Sequence, residues 1–544
     1  MKWTPLPVGN PTPGSRSIVL FGKLSVLACA LLLVAQLAIK LKEGLYFDDT
    51  FMFVRYAHNI IKYGNYGWNA HEHTYGCTNI PFTYFVVLLK LLKLDHLMSI
   101  PSLMLLCSFF WAVLSLLLLY RLLVMLAGSF LEHSPWLVAL FVGSLAIAPV
   151  FAYNIITGMD TTMSLFFNIF MIWSLFQYVA RPGTGRFLLA VTSAYFIFLL
   201  RPDNGIYMLL FPALFLWDSK WPIKKIATFY GALFLLLLLD TLVKYWYFGN
   251  PLPLPFYVKK SGFYLGYLGK SNWNAVQYTF DFFLDFGFLF FIFLLFADKR
   301  GLKKFMVFGL PVLLSVLYYF TVTQIMGFHS RYYLPSMPFW IIGTVYGLRE
   351  IKQGQLTVNK ITLGLTYALA LLFLQLAAPA YELYVQKKAQ EQAVPFELSA
   401  AQSAPVPGSP AAGLTCRPLG YKEGIWAMQK LIALLPDTCT IAATEYGYLS
   451  IAAPDNRFMD LCGLHDSAFA LHGYKDRLLQ QWNPTLIWLP AREYTALRKQ
   501  IITGDTFTNQ YDYFPDAFTY GVAIRKNSPY YEALVKKIIE LNCH

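Results

Sequence analysis

The chain has 544 residues, of which 57% are hydrophobic and only 13% charged, with a formal net charge of +13. Soluble domains carry about 25% charged residues, so a water-facing surface of this size could not be covered. Disorder, an ordinary cytosolic enzyme and a nucleic-acid-binding domain are excluded together, and the positive balance reads as topology, because short cytoplasmic loops of membrane proteins collect Lys and Arg.

The first apolar run, Ser17–Ile39, is about 20 residues long, enough to cross roughly 30 Å of hydrocarbon. A cleavable signal would have a shorter core, so an anchor with a cytoplasmic N-terminus is expected. Pro81–Leu94 is shorter, carries Lys90 and Lys93, and reads as an amphipathic helix lying in the interface. With that segment flat, the next crossings are Ser99–Tyr120, Pro135–Tyr153, Thr162–Val179, Phe187–Leu200 and Gly205–Trp217, then Ile226–Tyr247, Tyr278–Ala297, Phe305–Thr323, Tyr333–Leu348 and Ile361–Tyr381. Arg121, Arg181, Arg186, Lys220, Lys224, Lys225, Lys299, Arg300, Lys303, Lys304, Arg349, Lys352 and Lys360 then all fall on the cytoplasmic side, as the positive-inside rule requires. The expectation is an α-helical polytopic membrane bundle of about 11 transmembrane helices.

Odd parity places the C-terminal region outside. Residues 1–384 form the membrane module, and 385–414 form a linker rich in Ala, Pro and Ser, whose composition buries too little apolar surface to fold alone. Residues 415–544 are expected to be an extracytoplasmic α/β or α+β domain. Within it, Glu423–Leu435 and Tyr530–Leu541 have helical spacing, and Thr440–Ala443 and Leu486–Leu489 read as buried strands. Cys416, Cys439, Cys462 and Cys543 lie there, where an oxidising compartment permits disulfides; their pairing is open. Cys29 and Cys107, in crossings, read as small hydrophobes.

Ionisable groups at membrane depth are costly and default to function. The first external loop holds Asp48, Asp49, Arg55, Tyr56, Asn59, Trp68, Asn69, Glu72 and Asn79. Two adjacent carboxylates repel, which raises a pKa, and such a carboxylate can take a proton from an attacking hydroxyl. The competing reading is a helix N-cap. Asp160, in Gly158-Met159-Asp160-Thr161, either caps the next helix or joins that pair. Arg201, in a break between two short apolar segments, together with Lys259, Lys260, His329 and Arg331, brings cations and donors to the outer side. Arg and Lys are the usual partners of phosphate, although interfacial snorkelling is the ordinary alternative.

Asp48–Asn79, Gly158-Met159-Asp160-Thr161, Arg201-Pro202-Asp203, Tyr247–Lys260, Arg331–Pro338 and Thr444–Asp466 together resemble the membrane glycosyltransferases of the GT-C fold. The similarity is to the subgroup that includes the mycobacterial terminal arabinofuranosyltransferases and related bacterial lipopolysaccharide-type transferases. The resemblance implies a bacterial inner-membrane enzyme that moves a sugar, with inversion, from a polyprenyl-phosphate donor to an extracytoplasmic glycan or glycolipid acceptor. It implies catalytic roles for Asp48, Asp49 and Asp160, with Asp48 as base. Donor phosphate would be held by Arg201, Lys259, Lys260 and Arg331, and substrate by Arg55, Tyr56, Asn59, Trp68, Asn69, Glu72, Asn79 and His329. Relatives often have Glu where Asp160 and Asp203 stand, and a larger residue at Cys77, which bears on the sugar accepted. No cofactor is obligatory; a divalent cation is compatible with the carboxylates. The rival reading is a transporter or lipid flippase, for which broken helices are also suited; a glycan-binding scaffold is a third.

Overall fold

The computed structural model describes residues 13–43, 47–132, 136–260, 262–268, 273–287, 299–324, 327–348, 419–515 and 517–542. The chain divides into two compact units that are not contiguous in sequence. The first comprises Met1–Phe47, Leu94–Asp240 and Trp273–Lys387, and the second Asp48–Lys93, Thr241–Asn272 and Lys388–His544. A division near residue 384 is present, between Lys387 and Lys388, but the first loop and the segment from Thr241 also belong with the C-terminal residues. The linker 385–414 lies outside the described residues.

The first unit is a helical bundle with an apolar interior. Leu116, Leu119, Leu145, Ile169, Ile172, Phe211, Phe308 and Ile342 are wholly buried, whereas Leu117, Phe234, Leu235 and Leu317 face outward, as expected where lipid replaces water. Among the described residues, five helices are long and apolar enough to cross a membrane: Gly22–Ile39, Ile100–Leu126, Thr161–Ala180, Ile223–Phe248 and Lys299–Tyr319. A sixth span is formed if Leu137–Ile147 and Pro149–Ile155, bent by 58°, count as one. Pro149 lacks the N–H that would continue the ladder, which accounts for the bend.

The protein is thus multi-pass; among the described residues five or six spans are long enough to cross, of the eleven expected. Thr184–Leu200 has 17 residues and Gly205–Asp218 has 14; at 1.5 Å per residue the longer is about 25 Å, while Met337–Leu348 runs to the edge of the described residues. Sequence hydropathy counts such short helices as crossings. Tyr278–Ala297 is described only to residue 287, and Ile361–Tyr381 lies outside the described residues. Pro81–Leu94 appears as a helix over Ile80–Leu91, about 18 Å long and too short to span. It is apolar on both faces rather than amphipathic: Phe82, Val86 and Leu89 are buried while Tyr84, Leu88 and Leu91 are exposed.

In the second unit, a five-stranded sheet has the order β2-β1-β3-β5-β4, with β1 Thr440–Ala443, β2 Arg457–Asp460, β3 Leu486–Trp488, β4 Tyr511–Phe514 and β5 Val522–Arg525. β1 is parallel to β2 and β3, and β5 is antiparallel to β3 and β4. Strands buried on both faces read as short apolar runs, which is why β1 and β3 are legible in sequence. The expected helices appear as Tyr421–Ile432 and Tyr531–Asn542. The disulfide expectation is corrected for two positions: Cys439 and Cys462 are buried free thiols, packed as small hydrophobes. Cys416 and Cys543 lie outside the described residues.

Candidate functional site

Asp48 and Asp49 open the helix Thr50–Tyr63, which ends at Gly64 in the left-handed region, φ 71°. Asp49 occupies the N-cap position without a side-chain cap hydrogen bond. The Asp48 carboxylate accepts instead from the backbone N–H groups of Gly447 (2.9 Å, on Oδ2) and Tyr448 (2.8 Å, on Oδ1). A Cβ at position 447 would lie 2.0 Å from the Asp48 carbonyl oxygen, so glycine is what allows this approach. Burial raises the Asp48 pKa to about 7; the two N–H donors oppose that rise and the Asp49 charge adds to it. Glu445, on the connection after β1, is also driven well up by burial and by the charges of Asp48, Asp49 and Glu493. Glu445 accepts a hydrogen bond from the Tyr421 hydroxyl at 3.2 Å.

Most other polar residues of the first loop fasten it to the sheet. Arg55 is buried, donating through Nε to the Trp68 carbonyl (2.6 Å) and through Nη1 and Nη2 to the carbonyls of Pro454 (3.3 Å) and Asn456 (2.8 Å). A further bond reaches Asn69 Oδ1 at 3.1 Å, and the guanidinium lies over the Trp68 and Phe458 rings. Asn59 donates to the carbonyls of Gly67 and Trp68, so Arg55 and Asn59 share one helix face, as their spacing predicts. Asn69 accepts from Phe458 N–H (2.8 Å) and donates to Phe458 C=O (3.1 Å), imitating a neighbouring strand and covering the β2 edge. Glu72 pairs with Arg457 at 3.3 Å. Asn79 accepts from Phe82 N–H as the N-cap of Ile80–Leu91.

Tyr56 shares its hydroxyl with Thr74, the Gly76 N–H and His465 Nδ1. His465 stacks on Trp68 at 4.2 Å, and burial pushes its pKa down to about 3, leaving the ring neutral. The Trp68 indole N–H is buried without a hydrogen-bond partner. Asp460 accepts from the N–H groups of Cys462 and His465 and is raised by burial to about 7.

The first unit holds its own charged cluster. Arg201 forks onto Asp203 (Nε–Oδ1 3.2 Å, Nη2–Oδ2 2.8 Å) in the turn Pro202–Asn204 that separates Thr184–Leu200 from Gly205–Asp218. Tyr319 donates to Asp203 Oδ2 at 2.7 Å. Asn204 ties the turn to Ser164 at 3.0 Å, and Asp160, buried at the N-cap of Thr161–Ala180, contributes charge to Arg201. Arg331 is buried over Phe47, and both it and Arg201 lie 5.3 Å from the Tyr332 ring centroid. Two guanidiniums thus lie near one aromatic ring. His329 lies on the same turn, Phe328–Ser336; its side chain is outside the description.

Lys259 and Lys260 end the helix Leu254–Lys260 of the second unit, Lys259 half-buried and Lys260 exposed over Phe256. Asp48, Asp49, the first-loop residues, Lys259 and Lys260 therefore belong to one unit, and Asp160, Arg201 and Arg331 to the other. Glu445, Asp460 and His465 stand in the sequence only as part of the stretch Thr444–Asp466, with no role of their own, and Tyr319 carries no sequence signal. Among the described residues no group of three or more His, Cys, Asp or Glu is arranged to hold a metal ion.

No family model matches this chain, and no curated protein matches it.

Proposed function

We propose that the protein is an inverting glycosyltransferase of GT-C type, moving a sugar from a polyprenyl-phosphate donor to an extracytoplasmic glycan or glycolipid acceptor. The observation that carries the reading is Asp48, a first-loop carboxylate whose proton affinity lies near neutrality. A general base works best with a pKa close to the working pH. A carboxylate offers about four lone-pair sites, so the two backbone donors fix its orientation and still leave room for an acceptor hydroxyl. Attack of that hydroxyl oxygen on the anomeric carbon forms the new bond, its proton passes to Asp48, and the bond to the lipid phosphate breaks with inversion.

The leaving phosphate gains negative charge, which a preorganised cation stabilises. Lys259 and Lys260, in the same unit as Asp48, are the cations proposed for that role; Arg201 and Arg331, beside Tyr332 in the other unit, are the remaining phosphate-binding candidates, with the Asp203–Tyr319 pair holding Arg201 still. Phosphate is a good leaving group, so the reaction needs no acid.

The test is to supply reconstituted protein with a panel of labelled polyprenyl-phosphate sugars and an envelope glycan. A new glycosidic linkage of inverted configuration is expected, and Asp48→Asn should not form it. Movement of the labelled lipid between leaflets without a new linkage would instead establish the flippase.

A further inference from the structure

Glu445 is a second buried carboxyl in the surroundings of Asp48, and the reaction described above gives it no role. It lies on the connection between β1 and the helix Gly447–Ala452, two residues before the Gly447 N–H that holds Asp48. It is 8% exposed, and both carboxyls belong to the second unit.

The two are supplied with donors unequally. Asp48 receives two backbone N–H groups, at 2.9 and 2.8 Å, one on each oxygen. Glu445 receives one hydroxyl, from Tyr421 at 3.2 Å. Backbone donors favour the charged form of a carboxyl, so a negative charge is better housed on Asp48. The charges facing Glu445 point the same way. Asp48, Asp49 and Glu493 all drive its proton affinity up. Tyr520 and Cys462 feel the Glu445 charge as well, and burial keeps both of them neutral. Arg492 supplies an opposing positive charge at Tyr520. Two anions side by side in a buried site repel, and such a pair retains one proton between its members.

We propose that Glu445 is a positioning residue for the transfer: it shares one proton with Asp48 and keeps that proton in the resting protein, so that Asp48 meets the acceptor hydroxyl as the anion. The inference rests on the reading of Asp48 as base. When the acceptor's proton passes to Asp48 the pair holds two, and release of one to water restores the starting state. The charge of Asp48 acts on Glu445, whereas the charge that raises Asp48 is that of Asp49, as a neutral Glu445 requires.

Infrared difference spectroscopy of the full-length protein in nanodiscs reads the pair without substrate. Just above the Asp48 value of about 7, wild type should show a protonated-carboxyl band that Glu445→Gln removes. In Asp48→Asn the band should titrate away about one pH unit or more below its wild-type position, the scale of coupled sites, because the anion favouring the proton has gone. A band that survives Glu445→Gln, or whose titration Asp48→Asn leaves in place, overturns the inference. The kcat/KM profile gives a second readout. Its acid limb should stay near 7 in Glu445→Gln, since one neutral group replaces another; a limb lowered by about a unit or more would make Glu445 the anion and refute the assignment. Wild type that transfers no sugar removes the base reading and the positioning role with it, while the infrared bands still report whether the proton is shared. Should Glu445→Gln not accumulate, Tyr421→Phe takes its place: losing the hydroxyl should shift the frequency of the same band, and an unshifted band refutes the proposal.

Discussion

Asp48 meets two demands at once: it receives two backbone N–H groups and, through burial, has a pKa near 7. The transferase reading predicts an acid limb in kcat/KM with an apparent pKa close to 7, because the protonated carboxyl cannot accept a proton. Asp49→Asn removes a neighbouring negative charge that raises the Asp48 pKa, so the limb should move toward lower pH; an unmoved limb would show that the pair is not electrostatically linked during turnover. Arg331 makes a separate prediction. Arg331→Ala should weaken donor binding about tenfold to a hundredfold, the scale of a charged hydrogen bond. Unchanged donor affinity would assign Arg331 to packing between Phe47 and Tyr332.

At the scale of elements, the first loop is joined to the sheet by its side chains reaching backbone groups there, and at Gly447 by close backbone approach. Gly447→Ala would drive a methyl group into the Asp48 backbone, and overpacking of this kind costs about 1–3 kcal/mol. The expected result is a lower Tm and faster proteolysis within 48–79, with the bundle helices still protected. Legibility in sequence also divides at this scale. β1, β3, the helices flanking them and the Arg201 break were visible because each is a local pattern: an apolar run, a 3.6-residue period, or a Pro-Asp-Asn turn between apolar segments. The roles of Arg55 and Asn69 were not, since their partners Asn456 and Phe458 lie 401 and 389 residues away. A buried Arg serving carbonyls and a buried Arg serving substrate have the same sequence signature. Span lengths are hard to read for a related reason, because composition does not distinguish a 14-residue buried helix such as Gly205–Asp218 from a full span.

At the scale of the molecule, the buried ionisable groups of the second unit set how stability responds to pH. Asp48 and Asp460 have folded pKa values of about 7, above the roughly 3.9 of an unfolded Asp. Each contributes stability that is full below the unfolded value and is lost as pH rises through about 7. His465, depressed to about 3, acts oppositely: its contribution is lost as pH falls below about 6.5. Between about pH 6.5 and 7 only the carboxyl effect remains. Thermal unfolding of this unit in the full-length protein should therefore show a lower Tm at pH 8 than at pH 6.5; a Tm that rises over that interval would contradict the burial of both carboxyls.

The pairing of Asp48 with Gly447 across 399 residues also dictates when the protein can mature. A ribosome adding about 5–20 residues per second needs tens of seconds between making the carboxylate and making the glycine that receives it. Throughout that interval Arg55 and Asn69 lack the carbonyls and strand edge they will eventually serve. The amino-terminal loop is thus assembled last although it is synthesised early, and any prematurely terminated translation product leaves it a ready target for quality-control proteases.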